Sequence, residues 1–358
     1  MSNSFMPQKP VRVGFACNEE TYERMATPQA VATLSALGPF SHHLCNEPSA
    51  WELAPPRNPV AIDALVEYGN TVDALLVCHG APRLTAEILD RLPHLKFVAE
   101  VEGDRFSQRI DLPAAAVRGV TVVDTTNGSS YPVAEWALAM AMIGLRNAGS
   151  LFRRMIDGEV PFKNWTDRVV DPGFNGELSG RKVGLIGCGY IGRRLLELLG
   201  PFHCDIYAYD PYAPRVLADI YDITLTSMQQ VMQQDVVISL VPLTSETHHM
   251  VTAVELDLLR PGAVFVNVSR GAVVDPEALV ARLQRGDVVA SLDVFEPEPL
   301  PAESPLRQMP NVFMTPHIAG VTAPCGPRFL TLAADEIARY FAGHRTRHDL
   351  VARAAVTT

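Results

Sequence analysis

Short runs of apolar, mostly β-branched residues recur along this chain, separated by longer stretches whose apolar positions fall at helical spacing. Strands of a parallel sheet are covered on both faces and read as continuous apolar runs, so this alternation predicts βαβ units and an α/β fold. A first series of strands is expected at residues 11–16, 74–78, 96–101 and 120–123. A second falls at 182–186, 205–209, 236–240, 263–268, 288–294 and 312–315, enough for a complete doubly wound sheet. Between the two series, residues 132–147 are apolar at helical spacing and are led by Ser129, Ser130 and Pro132, which read as an N-cap and a first-turn proline. This segment is expected to be a helix crossing between two domains. Residues 157–180, polar and carrying Trp165, read as a loop into the second sheet. Residues 328–343 are again helical, with Leu330, Leu332, Ala333, Ile337 and Phe341 spaced for one buried face, and are expected to return to the first domain.

A length of 358 residues, 47% hydrophobic and 20% charged, fits two packed domains and excludes disorder or a fibre. Forty acidic against thirty basic side chains give a net charge of −10, which argues against nucleic acid or an anionic membrane surface as partner. The longest apolar stretch, residues 137–145, is closed by Arg146 and falls far short of the roughly 20 residues of a membrane-spanning helix. No apolar run precedes Pro10, so a secretory signal is not expected and a cytoplasmic protein is. The six cysteines form no Cys-x-x-Cys pair and no ligand cluster; they are expected to be reduced core residues, with no metal site.

The sharpest local signal is Lys-Val-Gly-Leu-Ile-Gly-Cys-Gly-Tyr-Ile-Gly, in which Gly187, Gly189 and Gly192 follow a strand in the order G-x-G-x-x-G, with Tyr190 and Ile191 opening a helix. Asp210 ends the next strand, eighteen residues beyond Gly192. Gly187 suits a tight turn, Gly189 a close approach to a pyrophosphate, and Gly192 a helix seated close on the sheet, while the helix N-terminus attracts phosphate. A carboxylate at Asp210 accepts from ribose hydroxyls and repels a 2′-phosphate, so NAD is expected over NADP. Arg215, a few residues on, is a base that could offset that preference.

Ligands in such sheets sit at the carboxyl ends of the strands, and three charged residues fall there in succession. Arg270 follows the strand at 263–268 in Val-Asn-Val-Ser-Arg-Gly, after Ser269, where its guanidinium can fork onto a carboxylate or carbonyl. Glu298 lies between Pro297 and Pro299, and His317 ends the last strand in Thr-Pro-His-Ile-Ala-Gly. A carboxylate beside an imidazole fixes the tautomer and favours the protonated ring. The trio suggests carbonyl reduction.

At these residues the sequence resembles the NAD-dependent D-2-hydroxyacid dehydrogenase family. Besides the glycine loop and Asp210, the family's Pro-Leu-Thr stretch matches Pro242-Leu243-Thr244 with Thr247 and Met250, and its Asn-x-x-Arg-Gly-x-x-Val-Asp block matches residues 267–275. Its Asp-Val-Phe-x-x-Glu-Pro-Leu block matches residues 293–300, and its Thr-Pro-His-Ile-x-Gly matches 315–320. The resemblance implies a Rossmann cofactor domain, here 128–317, inserted into a flavodoxin-like substrate domain formed by 1–127 and 318–358. It implies that His317 is the acid/base, Glu298 its partner, Arg270 the ligand of the substrate carboxylate and carbonyl, and Asp293 a contact to the nicotinamide amide. Pro242, Thr247 and Ser269 join the cofactor contacts, and a homodimer through the cofactor domain is implied as well.

One stretch departs from the family. Where members have a glycine-rich loop that binds substrate carboxylate through backbone N–H groups, this chain reads Glu-Val-Glu-Gly-Asp-Arg-Phe-Ser-Gln-Arg-Ile-Asp from Glu100 to Asp111, and only Gly103 remains. Gly103, Asp104 and Arg105 are the expected substrate contacts there. A larger or doubly anionic substrate held by Arg105 and an ordinary 2-keto acid held by an altered loop are both compatible with these residues. The expected reaction is hydride exchange between NAD(H) and a small 2-hydroxy or 2-keto acid. The alternatives are a nucleotide-sensing, co-repressor-like binding protein on the same scaffold, or a dehydrogenase of phosphite or formate.

Overall fold

The computed structural model describes residues 6–48, 57–102, 109–159 and 176–350. The chain divides into two compact units, Met1–Ser129 with Thr322–Thr358, and Ser130–Val321.

The first unit is built on a five-stranded parallel sheet of β1 (Val13–Cys17), β2 (Phe40–Leu44), β3 (Ala74–Val77), β4 (Phe97–Glu100) and β5 (Thr121–Asp124), in the order β2-β1-β3-β4-β5. β1, β3 and β4 are buried along their whole length, and these are the strands that the apolar runs mark. β2, Phe-Ser-His-His-Leu, is an edge strand that the hydrophobic pattern does not predict. Its histidines are held by ring stacking, His42 on Tyr22 and His43 on Tyr68. Helix Cys325–Phe341 belongs to this unit, packing Phe329, Leu330, Ala333 and Ile337 with Val13, Phe15 and Phe97 of the sheet. Beyond it the chain bridges Val123 through Asp349, and His348 Nδ1 meets Glu336 at 2.9 Å.

The second unit holds a seven-stranded parallel sheet: β6 (Lys182–Ile186), β7 (Asp205–Tyr209), β8 (Ile223–Leu225), β9 (Val236–Ser239), β10 (Val264–Asn267), β11 (Val289–Leu292) and β12 (Val312–Met314), ordered β12-β11-β10-β9-β6-β7-β8. The doubly wound α/β class read from the pattern is thus found twice. β8 is the addition, an edge strand of three residues too short to register as an apolar run. The strand order reverses between β6 and β9, the switch point where the exits of neighbouring strands part and open a crevice.

The segment expected to begin at residue 132 is helix Ser130–Leu145, which buries Ala134, Ala137, Met140 and Ala141 in one cluster with Val264, Val266 and Val289. Gly144 permits that approach: a Cβ there would lie 2.4 Å from Val264 Cγ1. The helix start differs from expectation. A 3-10 turn, Thr126–Ser129, runs directly into it, and the Ser129 hydroxyl donates to the Thr126 carbonyl instead of capping. A second helix follows, Ala148–Ile156, after Asn147 takes a left-handed φ of 44°. Trp165 and most of the expected loop at 157–180 lie outside the described residues. All six cysteines are free thiols and five are buried, the core role expected of them. Among the described residues no helix is long and apolar enough to cross a membrane.

Arg282 fastens the outer layer of the second sheet. Its buried guanidinium donates to the carbonyls of Leu256 at 3.1 Å and Leu259 at 2.9 Å and pairs with Asp287. The hydrogen bond and charge of Arg282 hold the Asp287 carboxyl below the usual range. A carboxyl depressed in the folded state stabilises above its unfolded pKa, and that contribution disappears as pH falls through the folded value. Asp287→Asn is expected to cost about 1–2 kcal/mol at pH 7, the worth of a charged hydrogen bond discounted because Asp287 is about one-third exposed. Urea unfolding of both proteins checks this; the gap should close once the pH is below the folded pKa of Asp287.

Candidate active site

β6 delivers the chain into Gly187, whose φ of +98° is a conformation side chains avoid. A Cβ on it would sit 2.9 Å from Val241 Cγ1 at the exit of β9, so the turn occupies the switch point itself. Gly192 is as constrained: its Cβ would meet the Gly187 carbonyl at 2.6 Å, which seats helix Tyr190–Leu199 directly on the turn. Gly189 is the N-cap of that helix and has no side chain to satisfy it, and a Cβ there would meet nothing within 4 Å. The space beside the first helical turn, Tyr190 and Ile191, is open on the Gly189 side.

Asp210 is placed at the end of β7 with a second task that the sequence does not announce. Its Oδ2 accepts from the Cys188 N–H at 2.8 Å and its Oδ1 from the Tyr212 N–H at 2.9 Å, so the carboxylate braces the glycine turn. Burial pushes the neighbouring Cys188 thiol up to about 12, which keeps it protonated and inert. At the exit of β9, Thr247 Oγ1 donates to the Pro242 carbonyl at 2.6 Å and accepts from the Thr244 N–H at 2.8 Å. Thr247 and Pro242 therefore form one closed turn. Glycines where a Cβ is excluded, an uncovered helix N-terminus and a carboxylate at the end of β7 fit a dinucleotide, with pyrophosphate at the helix and ribose at Asp210.

The exits of β10, β11 and β12 carry the charged trio. Asn267 shapes the first: its Oδ1 accepts from the Ser269 N–H at 3.1 Å and hydroxyl at 2.7 Å, and its Nδ2 donates to the Arg270 carbonyl at 3.1 Å. Ser269 is buried and meets Ser239 at 2.9 Å, so its hydroxyl is engaged inside the sheet. At Gly271 a Cβ would fall 1.8 Å from the Phe295 carbonyl oxygen. The exits of β10 and β11 touch at that point, which brings Arg270 under the charges of Glu298 and Asp293. Burial pulls the Arg270 guanidinium down to about 10 against the opposing effect of those carboxylates, leaving it positive at neutral pH.

His317 Nδ1 lies 2.9 Å from Glu298 Oε1, with both side chains about a quarter exposed and so open to a ligand. His317 holds a left-handed φ of +53°, an unusual state for a residue with a side chain. Asp293 enforces it. Its carboxylate, 0% exposed, accepts from Thr315 Oγ1, the Ile318 N–H at 3.0 Å and the Ala319 N–H at 2.9 Å, while its carbonyl accepts from the His317 N–H at 2.8 Å. Trp136 Nε1 adds a bond to Thr315 Oγ1 at 3.3 Å. This anchoring role of Asp293 and Trp136 has no sequence signal beyond their positions.

Gly103, Asp104 and Arg105 lie outside the described residues. The residues flanking them form a charged network in the first unit. Glu100 and Arg109, both buried, pair at 3.1 Å. Arg109 also donates to the Cys78 carbonyl and, through Nη2, to His79 Nδ1 at 3.2 Å. That fixes the proton of His79 on Nε2, which meets Glu102 at 2.9 Å, and Glu102 also pairs with Arg24 at 2.9 Å. Burial would raise the Glu102 carboxyl, but the bonds and charges of His79 and Arg24 hold it below its usual range. Arg24 and His79 come from segments without a motif, and the sequence does not single them out.

Residues 138–319 match the family model described as D-isomer specific 2-hydroxyacid dehydrogenase, NAD binding domain. The chain is 33% identical to a glyoxylate reductase of Thermofilum pendens over 283 residues, 77% of this chain and 80% of that one. It is also 33% identical to a mitochondrial formate dehydrogenase of Hordeum vulgare over 268 residues, 73% of this chain and 68% of the other. Among solved structures, a phosphoglycerate oxidoreductase of Rhizobium etli superposes with a TM-score of 0.76 at 22% identity, covering 95% of this chain and 98% of that one, a likeness of fold. With the family's motifs placed on the exits of one parallel sheet, the chain belongs to the D-isomer specific 2-hydroxyacid dehydrogenases, NAD-dependent oxidoreductases that act on the CH–OH group of 2-hydroxy acids.

Proposed function

We propose that the protein reduces a small 2-keto acid, of the glyoxylate class, with Arg270, Glu298 and His317 as its working side chains. The observation that carries this reading is the 2.9 Å pair between Glu298 and His317 Nδ1. With Nδ1–H donating to the carboxylate, Nε2 is the nitrogen that passes a proton to the carbonyl oxygen. Bound NADH supplies the hydride for the carbonyl carbon. Arg270, partly buried and charged, forks onto the substrate carboxylate and draws the carbonyl oxygen's developing charge. Glu298 stabilises the imidazolium before transfer and restrains the ring afterwards. Asp293 works through the loop it anchors, and whatever acceptor capacity remains is proposed for the nicotinamide amide. The glycine turn with Tyr190 and Ile191 is proposed to hold the pyrophosphate, Asp210 the ribose, and Pro242, Thr247 and Ser269 to line the cofactor. Asp210 also sets the preference for NAD over NADP. Gly103, Asp104 and Arg105 are proposed as further substrate contacts.

The His317–Glu298 pair also separates this reading from formate oxidation. Converting formate to carbon dioxide moves a hydride with no hydroxyl proton to remove, whereas a CH–OH group needs a base for its proton. A proton-handling pair is what the second chemistry requires.

We propose further that two copies associate through helix Ala148–Ile156. Phe152, Met155 and Ile156 stand 66–71% exposed, while Arg153 is turned the other way, donating to the carbonyls of Met309 and Val312. Large apolar side chains grouped on one helix mark an interface, and a second copy presenting the same patch matches it isologously.

NADH oxidation against glyoxylate, hydroxypyruvate, phenylpyruvate and 2-ketoglutarate tests the activity. His317→Ala is expected to lower kcat at least 100-fold, and Glu298→Gln by about 10- to 100-fold, the range of a general acid and of its orienting partner; full activity in His317→Ala would sink the assignment. Arg105→Ala should raise KM for the accepted acid with kcat little changed. Phe152→Asp with Met155→Asp should turn a dimer into a monomer in light scattering, and an unchanged mass would remove this helix from the interface.

A further inference from the structure

A second group of side chains on the cofactor-binding unit lies outside this chemistry. His248 and His249 end the turn that follows β9, and Glu296 follows β11; their donor atoms all lie within 4.8 Å of one another. His249 Nε2 is 2.6 Å from Glu296 Oε2, His248 Nε2 is 3.9 Å from Glu296 Oε1, and the two imidazoles lean together with centroids 4.0 Å apart. The backbone beneath them is tied down, the His248 N–H to the Thr244 carbonyl at 3.0 Å and the His249 N–H to the Ala272 carbonyl at 2.7 Å.

Two imidazole nitrogens and one carboxylate oxygen make the donor set of a borderline divalent ion. Ligands at about 2.0–2.1 Å in a tetrahedron stand about 3.4 Å apart. The present spacings bracket that value, so small side-chain rotations bring all three atoms onto one centre. His248 is half exposed and the other two about one-third, so a hydrated ion can enter and keep water in a fourth position.

Charge separates this group from the other one that offers three donor atoms, Cys78, His79 and Glu102. There the Arg24 guanidinium sits on Glu102 and Arg109 donates to His79, while burial holds the Cys78 thiol protonated. A cation placed among them would meet two fixed positive charges. Glu296, in contrast, has only the two imidazoles as ion-pair partners among the described residues.

We propose that His248, His249 and Glu296 form a binding site for a divalent transition ion of the zinc and nickel class. The ion joins the turn after β9, which contains Thr247, to the Glu-Pro-Glu segment that carries Glu298, reinforcing the ion pair that already links them.

The test is calorimetric titration of chelator-treated full-length protein with zinc chloride, repeated with cobalt(II), whose visible absorption reports four-coordinate binding. One equivalent per chain is expected, with a rise in Tm. His248→Ala and Glu296→Gln, both accessible side chains, should each weaken binding at least tenfold and remove the cobalt band, while NADH binding shows that the variants are folded. No zinc binding by the parent protein, or binding and a cobalt band unchanged in both variants, would overturn the site.

Discussion

A carboxylate with no water around it has to be satisfied by protein donors, and leaving such donors or acceptors unpaired costs about 1–3 kcal/mol per group, more when charged. Asp293 meets this demand by drawing in Thr315 and the backbone at Ile318 and Ala319. The segment 315–319 then has little freedom: His317 is forced into a left-handed backbone, and its ring emerges facing Glu298. The His317–Glu298 pair is thus a by-product of an electrostatic requirement one layer below it. The unfavourable backbone of His317, worth about 1–3 kcal/mol in general, is held by the bonds that Asp293 makes to its neighbours.

Close backbone approach does for the rest of the site what that carboxylate does for His317. Gly192 over the Gly187 carbonyl and Gly271 against the Phe295 carbonyl are contacts at which no side chain fits. The first sets the helix on the turn at the switch point; the second presses the exits of β10 and β11 together and brings Arg270 among carboxylates. The dinucleotide side and the charged side are therefore positioned by the same device on one sheet, and their separation is fixed by the strand spacing between β6 and β10.

What was legible in the sequence follows from these causes. Buried parallel strands are mostly apolar, so β1, β3, β4, β5 and every strand of the second sheet except β8 are legible as apolar runs. Gly187 and Gly192 are legible because steric exclusion leaves only one residue type at each. β2 and β8 are not, since β2 carries a serine and two histidines and is only partly buried, and β8 is three residues long. Ser129 and Ser130 looked like a cap because their side chains commonly serve as one, and the preceding 3-10 turn supplied the helix entry instead. Asp293 was seen only as a cofactor contact, because the donors that surround it are mostly backbone N–H groups, which carry no residue identity. Arg24 and His79 were missed for a similar reason: their partners lie across the sheet from different segments.

That last network has a consequence for how such a site can change over generations. Glu100, Arg109, His79, Glu102 and Arg24 neutralise one another in a largely buried setting. Removing Glu100 or Arg109 strands the other's buried charge at a cost of about 3–5 kcal/mol, a large part of a domain's whole stability. A lineage that replaces one of these two before the other passes through a less stable ancestor. The two residues are bound to each other in inheritance as they are in space, and the end of β4 that carries Glu100 is bound with them.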